Sequence, residues 1–291
     1  MLDPKNPQIT PPFSKRTRRI YFLICACAFV LLIPAFILYG SGYRLGSDWK
    51  VTETGGIYIY SSEPGAALSL GGKEISEGLG LFQRGFFVQD LVPSPYDVVV
   101  FKPGFTTWEK KLQVRPKLVT EATAFLVPQS LGLTLLSAST TDDALNTDFN
   151  QAVSSFSDAP DVPSLPEDRL RKGFVLHRDV ALWIDGNKII AEWRGAPEEI
   201  PSFFCSVQGT CQPQLVVREE KKAISDVNFY PGRNDAIIYA VDDSLFAAEL
   251  DQRPPQTVLP LFRGGKNVSF RVRNGENVYL RSEGALFKLE I

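Results

Sequence analysis

The sequence predicts a mainly β chain carried on a single N-terminal transmembrane helix: an antiparallel β-sandwich, then a β-rich region of meanders arranged like part of a propeller. Three observations carry this reading. Residues 20–40 are one uncharged apolar run. Between residues 55 and 128, short β-branched and aromatic stretches alternate with Pro and Gly turns, with no helical period between them. From residue 172 onward, three sets of three strand candidates are joined by tight Asp, Asn and Gly turns.

The apolar run, IYFLICACAFVLLIPAFILYG, has 21 residues, and a helix over it covers about 31 Å, one hydrocarbon thickness. Pro34 is compatible with a span, because carbonyls freed by proline are re-satisfied locally in lipid-embedded helices. Residues 1–19 hold Pro4, Pro7, Pro11 and Pro12 among polar side chains and predict a tail without a core. Lys5, Lys15, Arg16, Arg18 and Arg19 precede the run against Asp3, whereas Arg44 and Lys50 follow it with Asp48 and Glu53. That asymmetry predicts a cytoplasmic tail and an extracytoplasmic bulk, with the lipid bilayer as the partner of residues 20–40. Two other readings of the start are a cleaved signal peptide and a lipoprotein. The run is long for the first, and Tyr39-Gly40-Ser41-Gly42 is a poor cleavage site. The second has only the faint lipobox Ile24-Cys25-Ala26-Cys27, which would leave a long apolar remainder.

At 291 residues and 44 % hydrophobic composition, the chain can build cores for two domains beyond the run. Of 31 basic and 33 acidic residues, five basic and one acidic precede the run, leaving 26 and 32 beyond it, a net of about −6. Such a surface does not suit nucleic acid. Cys25 and Cys27 lie in the apolar run, while Cys205 and Cys211 fall in the exported half, where a disulfide persists. A bridge would close a small loop of modest stabilising value, with two unpaired thiols as the alternative.

Residues 41–54 read as a short stalk. The module at 55–128 opens with Ile57-Tyr58-Ile59-Tyr60, closed by a turn containing Pro64 and Gly65. Strand candidates follow at 67–70, 86–92, 96–102, 108–114 and 119–126, broken by Gly71-Gly72, Pro93-Ser94-Pro95, Pro103-Gly104 and Pro116. Trp108, Leu112 and Val114 share one inward face. Gly56 to Ile59, the turn up to Ala67 and the strand ending in Gly72 resemble the opening of a PEGA domain. The stretch from Leu91-Val92-Pro93 through Tyr96 to Gly104-Phe105 and Trp108 is similar to that family's closing segment. The residues carrying the resemblance are the turn residues Pro64, Gly65, Ala67, Gly72, Gly104 and Phe105. Gly65-Ala66-Ala67 departs from the name-giving triplet, Ser94-Pro95 stands where proline-glycine is usual, and the middle lacks the common threonine-proline. Over roughly 75 of 291 residues, the resemblance implies an extracytoplasmic β-sandwich of membrane-anchored envelope proteins, without assigned catalysis.

Residues 129–171 are rich in Ser, Asp and Pro and read as a flexible linker. Asp142, Asp148 and Asn150 lack calcium-loop spacing. In the last region, 172–291, the step Ile224 to Gly232 resembles a propeller repeat. Propellers close with about four to eight blades, so three sets predict a partial propeller with open sheet edges. A second sandwich is the alternative.

The chemistry of catalysis is largely missing. His177 is the one histidine, and no G-x-S-x-G elbow accompanies it. Ser47-Asp48-Trp49-Lys50 matches S-x-x-K without its companion motifs, and Gly71-Gly72-Lys73 and Gly264-Gly265-Lys266 lack the phosphate-loop spacing. The reading therefore assigns no catalytic residue, cofactor or metal. It expects a membrane-anchored envelope protein for protein or surface-layer interaction and scaffolding. The alternative is a module for cell-wall or surface polysaccharide using Trp183, Trp193 and Tyr230, and behind it an extracellular hydrolase with two convergent acids.

Overall fold

A computed structural model of the chain describes residues 14–45, 50–75, 84–138, 170–273, 275 and 277–291. Helix α1 runs over Lys15–Gly40, five residues ahead of the apolar run. The early start has a local cause: the Ser14 hydroxyl accepts from the amide of Thr17, and Lys and Arg are good helix formers. At about 1.5 Å per residue the helix is about 39 Å long, enough for the hydrocarbon core plus a headgroup layer. None of its residues is buried, and among the described residues it is the one helix long and apolar enough to cross a bilayer.

The stalk expected at 41–54 is in part ordered as a hairpin. Strands β1 (Tyr43–Leu45) and β2 (Val51–Glu53) pair with Tyr43 opposite Glu53 and Leu45 opposite Val51. Gly42, at φ +81°, reverses the chain there, and its carbonyl accepts from both the amide (2.9 Å) and the hydroxyl (2.8 Å) of Thr54.

The next unit contains two sheets. One orders β6 (Gly85–Leu91), β3 (Gly55–Ser61) and β9 (Val119–Ala124). The other orders β5 (Lys73–Ile75), β4 (Ala67–Leu70), β7 (Pro95–Phe101) and β8 (Trp108–Gln113). The expected antiparallel pattern holds except for β3 and β9, which pair in parallel. The cause is the short connection after β8, which carries the chain from one sheet to the other. Alternation decides the faces: Ile57 and Ile59 are buried while Tyr58 and Tyr60 point outward. On β8, Trp108, Lys110 and Leu112 all face inward, followed by Val114. Strand β5 escaped the sequence reading because Lys73-Glu74-Ile75 has no apolar alternation.

The C-terminal half forms three four-stranded antiparallel sheets. The first orders β11 (Lys172–His177), β12 (Val180–Asp185), β13 (Lys188–Trp193) and β14 (Gln214–Glu219). The second orders β15 (Ile224–Phe229), β16 (Ala236–Val241), β17 (Ser244–Glu249) and β18 (Val258–Phe262). The third takes β19 (Ser269–Arg273), β20 (Asn277–Ser282) and β21 (Ala285–Glu290), with β10 (Gly132–Ala138) added on the β21 edge. Each predicted set of three thus gains a fourth strand. Strand β10 also corrects the linker reading of 129–171, since its first residues seal the last sheet; residues 139–169 lie outside the described residues.

Strands β11, β15 and β19 lie side by side, so the three sheets stack face to face. Strand β16 is buried on both faces: Ile237, Tyr239 and Val241 face the first sheet's core, and Ala236, Ile238 and Ala240 face the other. That second core is continuous with Ile57, Leu68, Trp108 and Phe125 of the N-terminal unit. Two separate cores were expected; the N-terminal sheets and the last two sheets share one. The described sheets close into neither a barrel nor a complete propeller.

Several turns rest on glycine. Gly104, at φ +82° between β7 and β8, has no atom within 4 Å of where a Cβ would sit. Gly104→Ala should therefore lower stability through backbone strain alone, by about 1–2 kcal/mol. Gly104→Asn should recover part of that loss, because asparagine tolerates this conformation. Denaturant midpoints of the two variants check this, and an unchanged midpoint for alanine would contradict it.

Candidate functional site: the seam and the exposed faces

The N-terminal unit meets the second C-terminal sheet along a seam of buried charge. It begins with Lys110, whose side chain is fully buried on the inward face of β8. A buried ammonium is tolerated only where its protons are taken up. Lys110 Nζ donates to Glu249 Oε1 (2.5 Å) and to the carbonyls of Asp251 and Pro255 (3.1 Å each). Glu249, at the end of β17, also accepts from Trp108 Nε1 (2.9 Å) and from the amide of Thr257 (2.7 Å). Burial pushes the Glu249 carboxyl above its ordinary value, and the Lys110 ammonium pulls against that shift. The amide of Lys111 donates to the Pro254 carbonyl, extending the join along β8.

Two arginines complete the seam. Arg253 grips Asp251 through Nε (2.9 and 3.0 Å) and Nη2 (2.5 Å), and Nη2 also donates to the Glu121 carbonyl of β9. Arg233 forms a bidentate pair with Asp235 (2.8 and 2.7 Å) and donates through Nη1 to Ser62 Oγ and the Ala124 carbonyl. Its guanidinium lies over the Phe125 ring, which meets Tyr230 edge-on at 5.0 Å. In all three pairs the acid belongs to the C-terminal half; Lys110 reaches it from the N-terminal unit, whereas Arg233 and Arg253 bond groups on both sides. These charge-assisted bonds fasten the two halves together.

Beside the seam lies the loop closed by the Cys205–Cys211 disulfide. Gly209 in this loop has φ +80°, and a Cβ there would run into the Arg115 guanidinium of the N-terminal unit. Cavities of about 310 and 200 Å³ flank the loop and share Cys205, Ser206, Val207 and Arg253 in their walls.

The aromatics singled out from sequence do not form a platform. Trp183 is 7 % exposed and lies under the Arg171 guanidinium at 4.0 Å. Half-buried Trp193 packs on the core of the first two C-terminal sheets and donates Nε1 to the Ala196 carbonyl. Tyr230 is also 7 % exposed, and burial pushes its hydroxyl pKa up to about 12. At strand spacing these rings fill cores. Beyond α1, the exposed rings among the described residues include Tyr58, Tyr60 and Phe87 together on the outer face of β3 and β6, at 37, 36 and 51 %, and Phe101 of β7 by itself at 38 %. Tyr58 sits opposite Phe87 and covers Gly85, while Phe87 covers Gly56. The alternation Ile57-Tyr58-Ile59-Tyr60 carried that signal, since it places both tyrosines opposite the buried isoleucines. Among the other named residues, Gly65 and Gly72 adopt positive φ at turns, Ala67 opens β4, and Phe105 bridges to Pro128. Pro64 is exposed in the turn ahead of Gly65.

His177 packs on the Phe229 ring at 5.5 Å, and burial, aided by Arg178, lowers its pKa below the ordinary imidazole value. Among the described residues no three His, Cys, Asp or Glu side chains converge as metal ligands.

No protein-family model matches the chain, and no curated protein matches it. A crystal structure from Bacteroides fragilis NCTC 9343, described provisionally as a membrane-associated protein of unknown function, aligns at 9 % identity over 81 % of this chain and 94 % of that one. Its TM-score is 0.21, and a likeness at that level carries no argument here.

Two measurements test the electrostatics. Lys110→Met leaves the Glu249 carboxylate buried without its countercharge and should cost about 3–5 kcal/mol in denaturant unfolding of the full chain in detergent. Lys110→Met combined with Glu249→Gln should cost about 1–3 kcal/mol less than the two single losses added together; strict additivity would show that the pair is not coupled. For His177, the folded state binds the proton less readily than the unfolded chain. Its stability contribution is therefore complete above the ordinary imidazole pKa of about 6.5 and falls as pH drops through that value toward the folded one. An NMR titration of this single imidazole should give a midpoint below that of a histidine peptide. An equal or higher midpoint would refute the assignment.

Proposed function

We propose that this chain is a non-catalytic, single-pass membrane protein with its N-terminus in the cytoplasm, acting outside it in protein interaction or scaffolding. The first β unit is read as a PEGA-like sandwich and the three C-terminal sheets as three blades of an incomplete propeller. Positive-φ glycines at 65, 72 and 104 support the first reading. Face-to-face stacking, adjacent first strands and the sealing of the last sheet by β10 support the second. The basic residues on the tail side of α1 support the orientation.

The observation that carries the function is the aromatic face of Tyr58, Tyr60 and Phe87. Large rings left outward on a firmly packed sheet suit recognition of another surface, because aromatic side chains lose little conformational freedom on docking. The same ring faces favour a second reading, stacking on a surface polysaccharide.

A photo-crosslinking residue at position 87, in full-length protein in intact cells, should capture a discrete protein band that Tyr58→Ser/Tyr60→Ser abolishes. Capture of polysaccharide alone would favour the second reading. A crosslink to neither would defeat both. Protease added to spheroplasts should remove the β body and spare the tail; protection of the body would reverse the orientation.

A further inference from the structure

The chain leaves α1 without slack. Arg44 Nη1 donates to the Tyr39 carbonyl in the last helical turn (2.7 Å), and its guanidinium lies 3.7 Å over the Tyr39 ring. The same arginine pairs through Nη2 with Asp90 at the end of β6 (2.6 Å). Tyr43 donates to Glu53 (2.7 Å) and accepts from Lys117 Nζ (3.0 Å), which also pairs with Glu53 (2.8 Å). The Lys117 amide donates to the Thr54 carbonyl, and Thr54 is bonded twice to Gly42. Helix end, hairpin, the end of β6 and the turn before β9 are therefore one bonded collar.

That end of the unit exposes four aliphatic side chains: Val51 at 57 %, Val92 at 55 %, Leu118 at 48 % and Val119 at 46 %. They come from three separate segments that meet where α1 ends. Val51 pairs with Leu45 in the hairpin, Val92 follows the strand end that pairs with Gly55, and Val119 pairs with Gly56. The cations Arg44, Lys50 and Lys117 belong to the same segments, Arg44 paired with Asp90 and Lys117 with Glu53. Aliphatic groups with interspersed cations match a headgroup layer, where the chains reach the acyl boundary and the cations meet phosphates.

We propose that this ring is a lipid-docking surface: it rests in the headgroup layer of the bilayer that α1 crosses, so the N-terminal unit is seated on the membrane rather than held off it. The occupant follows from continuity, since the ring surrounds the point where a membrane-length helix ends and is bonded to its last turn. The inference rests on the reading of α1 as a span. It adds that the first unit's height above the bilayer is set by the collar.

The test uses the full chain with Cys25→Ala and Cys27→Ala in nanodiscs of phosphatidylethanolamine and phosphatidylglycerol. A polarity-sensitive fluorophore is attached at Leu118→Cys, at Val92→Cys or, as a control in the distal turn, at Pro64→Cys. Nitroxide lipid labelled near the headgroup should quench positions 118 and 92 with loss of most emission and leave position 64 unchanged. Equal emission at all three, with protein still resisting carbonate extraction, would overturn the docking surface while leaving the span intact. Shielding of 118 and 92 that appears only at high protein density, without lipid quenching, would assign the ring to a second copy and overturn it likewise. Release of the protein by carbonate would overturn both the span and this inference.

Discussion

The buried contact between Lys110 and Glu249 is the constraint on which the body depends. Strand β8 presents Trp108, Lys110 and Leu112, and Val114 just after it, to the same interior, so a lysine stands where a core would take an aliphatic residue. An ammonium cannot stay there unless its three protons find acceptors. Those acceptors, the Glu249 carboxylate and the Asp251 and Pro255 carbonyls, all come from the second C-terminal sheet, at the end of β17 and in the loop between β17 and β18. The N-terminal sheets therefore complete their interior only against that sheet. Arg233 and Arg253 repeat the device by crossing to carbonyls of β9.

From this follows the mechanical character of the chain. The collar couples α1 to the N-terminal unit, the seam couples that unit to the stacked sheets, and the disulfide loop lies against Arg115 beside the seam. A body joined at each step holds its surfaces in fixed relation to one another. Outward aromatic side chains on such a body are pre-ordered, which lowers the entropic cost of meeting a partner.

Much of this was legible in the sequence, and the remainder was not for identifiable reasons. The apolar run, the alternation in β3, the glycine turns and the neighbouring cysteines are local signals, and each lies in a single window. Strand β10 was hidden because its partner β21 lies at the other end of the chain and because Ser and Asp dominate the residues that follow it. The hairpin in the stalk depends on bonds to Thr54 and Lys117 that no local pattern encodes. Lys110 reads as a surface residue in any window, since its counterion is 139 positions away. The tryptophans carried no signal of a platform: large rings at strand spacing usually fill cores, and the structure buries Trp183 and packs half-buried Trp193 on a core.

Native-state hydrogen exchange in rising denaturant tests most directly whether the seam makes one body. If it does, the amides of β3 and β16 lose protection together, with the same free energy and the same denaturant dependence. Loss of protection in β3 at a markedly lower denaturant concentration, with β16 still closed, would show that the N-terminal unit folds on its own and would contradict the account.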